Sequence, residues 1–183
     1  MVIWRLDGQG GKSMSWASHV PDSPMQLDMK KGYGMFKQVG MAMALIFFTT
    51  ASYANCWESS GSRYNIPPTL LYAIGITESS LNPSAINRNR NGSEDVGLMQ
   101  INSVWLPTLA SMGISRKQLF DACTSIEVGA WILAQNFRAH GSNWNAVGAY
   151  NAGSPEKRLA YAMKIYRSHV AVHQKLSNQQ ESK

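Results

Sequence analysis

The stretch Pro67-Pro68-Thr69-Leu70-Leu71-Tyr72-Ala73-Ile74-Gly75-Ile76-Thr77-Glu78-Ser79-Ser80-Leu81-Asn82-Pro83 sets the fold class. Its two prolines can open a helix, because the first helical positions have no intrahelical use for an N–H. Leu71, Ile74 and Glu78 then recur at i, i+3 and i+7, and the helix ends near Asn82-Pro83. Glu78 shares the apolar stripe, so it points toward the core side of its helix. It also lies near the C-terminal end, where the helix dipole disfavours a negative charge. Burial and dipole both push a carboxyl pKa upward, as a general acid working at neutral pH requires. On periodicity alone the pattern fits a solvated or paired glutamate at a helix end equally well.

Outward from this helix, the same period dominates. A short segment runs from Trp57 to Tyr64, residues 84–96 read as a polar loop, and Ser103–Met112 carries a helical pattern broken by Pro107. Thr124-Ser125-Ile126-Glu127 reads as a capping box opening a helix through Ile126, Ala130, Leu133 and Phe137, which Gly141 can end. Asn143–Tyr150 is short and helical. Ser154-Pro155-Glu156 caps a last helix through Leu159, Ala162, Tyr166 and Val170, followed by a polar tail from Gln174, expected to fray. No alternating strand and no repeat stands out. The expected fold class is mainly α.

The 183 residues fit one domain. Charged residues make up only 15%, against about 25% in an average globular protein, while hydrophobic residues reach 44%. That excludes a disordered charged chain and a long coiled coil. No apolar run is long enough for a membrane span. The formal charge of +6 suits nucleic acid, a membrane surface or an anionic polymer. Because the basic residues are scattered and no recognised module appears, a nucleic-acid partner is not expected.

Lys30, Lys31 and Lys37 precede an uncharged stretch, Val39–Ala51, and then Ser52-Tyr53-Ala54. This is the pattern of a secretory signal peptide over residues 29–54, cut after Ala54. Asn55 stands where a lipoprotein would need a small residue before Cys56. Residues 1–28 then read as an over-extended N-terminus. Their Gly11-Lys12-Ser13 lacks the earlier glycine of a phosphate loop, since Leu6 occupies that place. The expected mature domain, residues 55–173 with a polar tail over 174–183, keeps both cysteines, Cys56 and Cys123. In an exported protein an even count favours a disulfide, and neither cysteine has a catalytic or metal-binding motif around it. His140, His169 and His173 fall at helix ends or in the tail without metal spacing, and His19 lies before the domain. No metal or organic cofactor is expected.

Three blocks carry a resemblance: Ile76-Thr77-Glu78-Ser79-Ser80-Leu81-Asn82-Pro83, Gly97-Leu98-Met99-Gln100-Ile101-Asn102 and Ala149-Tyr150-Asn151-Ala152-Gly153. In this order they resemble the lytic transglycosylases with the soluble-transglycosylase, goose-lysozyme-like catalytic domain, over roughly Cys56–His169. The flavour is that of the small specialised enzymes of type III and type IV secretion, conjugation and pilus assembly. Gln100-Ile101-Asn102-Ser103, Trp105 and Gly129-Ala130-Trp131-Ile132-Leu133 share that look. The resemblance implies a lysozyme-like domain with Glu78 as the catalytic residue. It places Ser79, Gly97, Leu98, Met99, Gln100, Tyr150, Asn151 and Tyr161 about the substrate, with Tyr166 a possible alternative register for Tyr161. In physical terms Gly97 would let the backbone approach a sugar ring. Met99 would keep water from the acid, and Gln100 offers both a donor and an acceptor. Tyr150 and Asn151 would meet an N-acetyl group.

The implied activity is cleavage of the MurNAc–GlcNAc β-1,4 bonds of peptidoglycan in the periplasm, leaving 1,6-anhydromuramyl ends and opening the wall for a secretion, conjugation or pilus machine. Most glycosidases use two carboxylates. The local candidates, Glu94 and Asp95, read as solvated loop charges, so a single-carboxyl site is expected. The alternatives are a hydrolytic muramidase and a non-catalytic wall-binding scaffold of a secretion channel.

Overall fold

The structure, a computed structural model, describes residues 3–6, 12–15 and 49–181, with side chains from residue 55 onward. The segments read as an over-extended N-terminus and a signal peptide therefore lie largely outside the described residues. Within them, β1 (Ile3–Leu6) pairs antiparallel with β2 (Lys12–Ser15). Helix α1 (Thr49–Tyr64) contains the Trp57–Tyr64 segment.

Helix α2 (Pro68–Ser79) starts with proline at its first turn, as the sequence reading expects. It stops because Ser80 and Leu81 both take left-handed backbone conformations, with φ of 54° and 66°. Their N–H groups fold back onto the Ile76 and Gly75 carbonyls. Left-handed non-glycine residues cost of order 1 kcal/mol each, and here they turn the chain sharply just beyond Glu78.

Residues 84–96 are a hairpin of two short strands about a turn and not a loop throughout. β3 (Ile86–Arg88), β4 (Glu94–Val96) and β5 (Ile101–Asn102) form a three-stranded antiparallel sheet in the order β3-β4-β5. Its register sets Asp95 opposite Asn87 on one side and Asn102 on the other. The strands are too short for alternation to show, and all of β3 is exposed, so polarity alone mimics a loop.

A 3-10 turn (Ser103–Trp105) leads into α3 (Leu106–Ser111), where Pro107 sits in the first turn and starts the helix instead of breaking a longer one. A second 3-10 turn (Arg116–Phe120) precedes α4 (Ala122–His140). The cap of α4 differs from the expected capping box. Asp121 accepts from the Thr124 N–H at 2.8 Å and from its hydroxyl at 2.9 Å. This leaves Glu127 inside the helix, facing inward. The short α5 (Trp144–Gly148), capped by Asn143, is followed by the long α6 (Pro155–Glu181), in which the tail from Gln174, expected to fray, instead continues as exposed helix.

The core sits around α4, whose Ile126, Ala130 and Leu133 are fully buried together with Leu70, Leu71 and Ile74 of α2. Helix α6 lies along α2 and α5, and α1 lies along α4. The Cys56–Cys123 disulfide joins α1 to the first turn of α4, with the two Cα atoms 5.4 Å apart. Beneath it, the Glu127 carboxylate accepts from the Ser60 hydroxyl at 2.6 Å and the Tyr64 hydroxyl at 3.1 Å, and pairs with Arg63 at 2.9 Å. This is a mainly α, lysozyme-like fold with one disulfide.

Candidate active site

A cleft of about 750 Å³ opens between the sheet, the Ala149–Gly153 turn and one face of α4. Glu78 enters it from the end of α2. Tyr161 of α6 stands behind this carboxyl and donates its hydroxyl to Oε1. Packing of α6 on α2 brings the two together. Tyr166 instead packs edge-on against Trp144, and it is Tyr161 that meets the carboxyl.

Burial raises the Glu78 pKa above the ordinary carboxylate range. The Tyr161 hydrogen bond and the Lys164 charge pull it partly back, and the negative charge of Asp95 pushes it up again. Burial, then Glu78, drives the Tyr161 and Tyr150 phenols well above their ordinary values, so both remain protonated donors.

Asp95 differs most from the sequence reading, which treats it as a solvated loop charge. It lies on β4 and lines the same cleft as Glu78. Its Oδ1 accepts from the Asn102 amide at 2.6 Å, and its Oδ2 accepts from Asn89 at 2.9 Å and Asn87 at 3.2 Å. The strand register puts two of these amides directly beside it. Glu94, by contrast, points away into ion pairs with Arg116 at 2.7 Å and Arg88 at 3.4 Å, and the Arg116 hydrogen bond lowers its pKa.

Of the other residues singled out in the sequence, Gln100, Tyr150 and Asn151 line the cleft. Gln100, at φ 48°, gives its amide N–H to the Gly97 carbonyl at 2.8 Å and so locks its own turn. Tyr150 donates to the Met99 carbonyl at 3.0 Å. Ser79 latches α2 to the next block by donating to the Leu98 carbonyl at 2.6 Å. Gly97, Leu98 and Met99 are buried behind the cleft wall and do not face it. Gly97 is needed for a reason other than approach to a sugar: its φ is 78°, and a Cβ there would fall 2.0 Å from the Leu119 carbonyl oxygen. Met99 fills a slot above Gly129, where any Cβ would meet its Cε at 2.8 Å and the Tyr150 hydroxyl at 2.9 Å. The sequence reading weighed Asp95 and set it aside, and it did not pick out Asn87, Asn89, Arg90, Asn136 or Lys157, of which all but Asn87 line the cleft. The alternating Asn87-Arg88-Asn89-Arg90-Asn91 was the available signal for the hairpin. Among the described residues, no group of three or more His, Cys, Asp or Glu could hold a metal, and no helix is long and apolar enough to cross a membrane.

Residues 55–167 match the transglycosylase SLT domain, and so include Glu78, the sheet, Tyr150 and Tyr161. The chain is 48% identical over 130 residues to "Invasion protein IagB" of Salmonella typhimurium, covering 68% of this chain and 81% of that protein. It is 45% identical over 133 residues to "Protein IpgF" of Shigella flexneri, covering 70% and 88%. It is 38% identical over 135 residues to a "Peptidoglycan-binding-like protein" of Escherichia coli O157:H7, covering 66% and 81%. The matched domain holds the whole cleft, and the chain belongs to the transglycosylase SLT family as a lytic transglycosylase.

Proposed function

We propose that this enzyme cuts the MurNAc–GlcNAc β-1,4 bonds of peptidoglycan, with Glu78 as the general acid that protonates the glycosidic oxygen. The observation that carries the reading is a partly buried carboxyl of raised pKa, held by one phenol at the cleft wall opposite an amide-cradled Asp95. Bond cleavage leaves positive charge on the sugar. Asp95 supplies a fixed negative charge in the cleft to stabilise it, preorganised by three amides that need not reorient during the reaction. Glu78, now ionised, takes the proton of the muramyl 6-hydroxyl, which closes onto C1 to give a 1,6-anhydro end. That hydroxyl has the advantage of proximity over a water. Ser79, Gly97, Leu98, Met99 and Tyr161 act in this scheme by shaping and positioning the wall, while Gln100, Tyr150 and Asn151 meet the sugar.

The signal pattern over residues 29–54, the disulfide and the wall substrate together support action in the periplasm. Two relatives, one named an invasion protein and one a peptidoglycan-binding-like protein, support local wall opening for a secretion, conjugation or pilus machine.

Asp95 also favours a second reading. A carboxylate near the reacting carbon is what a hydrolytic muramidase uses, so the single-carboxyl premise for an anhydro product no longer stands alone. Digestion of purified sacculi and weighing of the muropeptides separates the two. Ends lighter by one water support the lytic product, and predominantly reducing muramyl ends make the enzyme a muramidase.

A further inference from the structure

Two of the cations that line the cleft, Arg90 and Lys157, form no ion pair among the described residues. Arg90 sits in the β3–β4 turn, which the Asn89 N–H closes onto the Ser93 carbonyl at 2.8 Å. Lys157, in the first turn of α6, lines the same cleft from a different wall. Both are exposed. The ion pairs of the described residues are Arg63–Glu127, Arg88–Glu94 and Arg116–Glu94, so no carboxylate meets either cation. Their neighbours are occupied: Arg88 is tied to Glu94, and Arg158 gives its Nε–H to the Ala152 carbonyl at 3.0 Å. The acids of the cleft pair with neither cation: Asp95 accepts from amides, and Glu78 accepts from Tyr161.

A glycan strand of N-acetylated sugars with amide-linked lactyl groups has no anionic group of its own. Its hydroxyl and acetamido groups are served by neutral partners, and the cleft offers Asn151, Asn136 and Trp105 for them. The anionic groups of peptidoglycan are the carboxylates of its stem peptides. A guanidinium takes a carboxylate in a two-pronged geometry, and an ammonium takes one as a point charge. We propose that Arg90 and Lys157 form a specificity pair that reads stem-peptide carboxylates, so that the enzyme selects stem-bearing glycan over glycan whose lactyl groups carry only neutral amides. The inference rests on peptidoglycan being the substrate of this cleft.

The test is binding, measured by calorimetry on the Glu78→Gln protein so that no turnover intervenes. The probes are muramyl tetrasaccharides whose lactyl carboxyls carry either tetrapeptide stems or neutral methylamide caps, so that the stem-free probe has no anionic group. The stem-bearing probe is expected to bind about tenfold more tightly, an effect in keeping with two exposed charge pairs. Adding Arg90→Ala and Lys157→Ala should bring the ratio to within about twofold of one, and so should salt near 1 M, where the screening length falls to about 3 Å. Adding Lys117→Ala, an exposed cation outside the cleft, should leave the ratio in place. Equal binding of the two probes overturns the proposal, as does an equal loss of preference in the Lys117→Ala protein, which would mark general attraction to a basic surface. If the preference appears but the wild-type enzyme releases no muropeptides from sacculi, the functional reading fails and the specificity pair stands.

Discussion

Two glutamates in this protein each face a tyrosine, and they do opposite work. Glu127, between α1 and α4, has both oxygens committed to Ser60, Tyr64 and Arg63 and is 6% exposed. Glu78, at the end of α2, receives Tyr161 on Oε1, while no other side chain among the described residues donates to it. A carboxylate whose charge is paired and whose lone pairs are filled is a fastener, costly to remove and chemically inert. One that is buried but left half satisfied, with Asp95 adding negative charge nearby, binds its proton more tightly and has an oxygen free to transfer it. Burial is common to the two sites. The number of donors around each carboxylate decides its role.

The largest expected effect breaks the catalytic side of this pair. Glu78→Gln should lower the rate of sacculus digestion by about 10²- to 10⁴-fold, with the fold intact by circular dichroism. If the purified variant still clears peptidoglycan at a near wild-type rate, Glu78 is not the acid. Glu127→Ala should do the reverse. It leaves Ser60, Tyr64 and Arg63 facing a gap and should cost about 2–4 kcal/mol in a denaturant titration, reduced from a fully buried pair because Arg63 is half exposed. Activity per folded molecule should hold, and a catalytic defect at full stability would merge the two roles.

Asp95→Asn keeps the shape of the cradled side chain and removes its charge. Turnover should fall by about 10²-fold, with little change in substrate affinity, if the charge stabilises the sugar cation. Retained turnover would return the site to a single carboxyl, and Glu94→Gln should be near neutral in either case.

The smallest effect sharpens the comparison by pH. The Tyr161 hydrogen bond favours ionised Glu78, so Tyr161→Phe should raise its pKa. A general acid works protonated, and the alkaline limb of the pH–rate profile should therefore move to higher pH, with a loss of about tenfold or less at the optimum. Stability follows with a definite sign. Because the folded-state pKa of Glu78 lies above its unfolded value, the folded protein holds the extra proton between the two, and stability falls as pH rises through that window. Glu78→Gln should thus unfold at a higher temperature than wild type above the window and gain nothing below it. A loss of stability at neutral pH would class Glu78 with Glu127.

Helices α2, α4 and α6 were legible because long apolar stripes carry their own period, and Glu78 was legible as the charge that interrupts one. The sheet was not, since a three-residue strand holds too few positions to show alternation, and the order of β4 and β5 depends on pairing across the chain. For the same reason Asp95 looked like a solvated charge: its three amide partners come from two other strands and a turn. Glu127 was hidden differently. Thr124 and Glu127 have the spacing of a capping box, but Asp121 one turn earlier takes the cap and frees the glutamate to turn inward. The sequence reading has Gly97 admitting a sugar ring, whereas the close approach that requires a glycine there is to the Leu119 carbonyl, a contact no local pattern encodes.

Cys56 and Cys123 stand 67 residues apart, and the closed loop between them has a topological consequence. Glu78, the whole β3-β4-β5 sheet and Asp95 lie inside a covalent ring, whereas Tyr150, Lys157 and Tyr161 lie on the linear chain beyond it. The active cleft is thus the seam between a ring and a tail. A single protease cut in the exposed β3–β4 turn opens the ring without releasing a fragment, and the clipped enzyme migrates as one species until its disulfide is reduced.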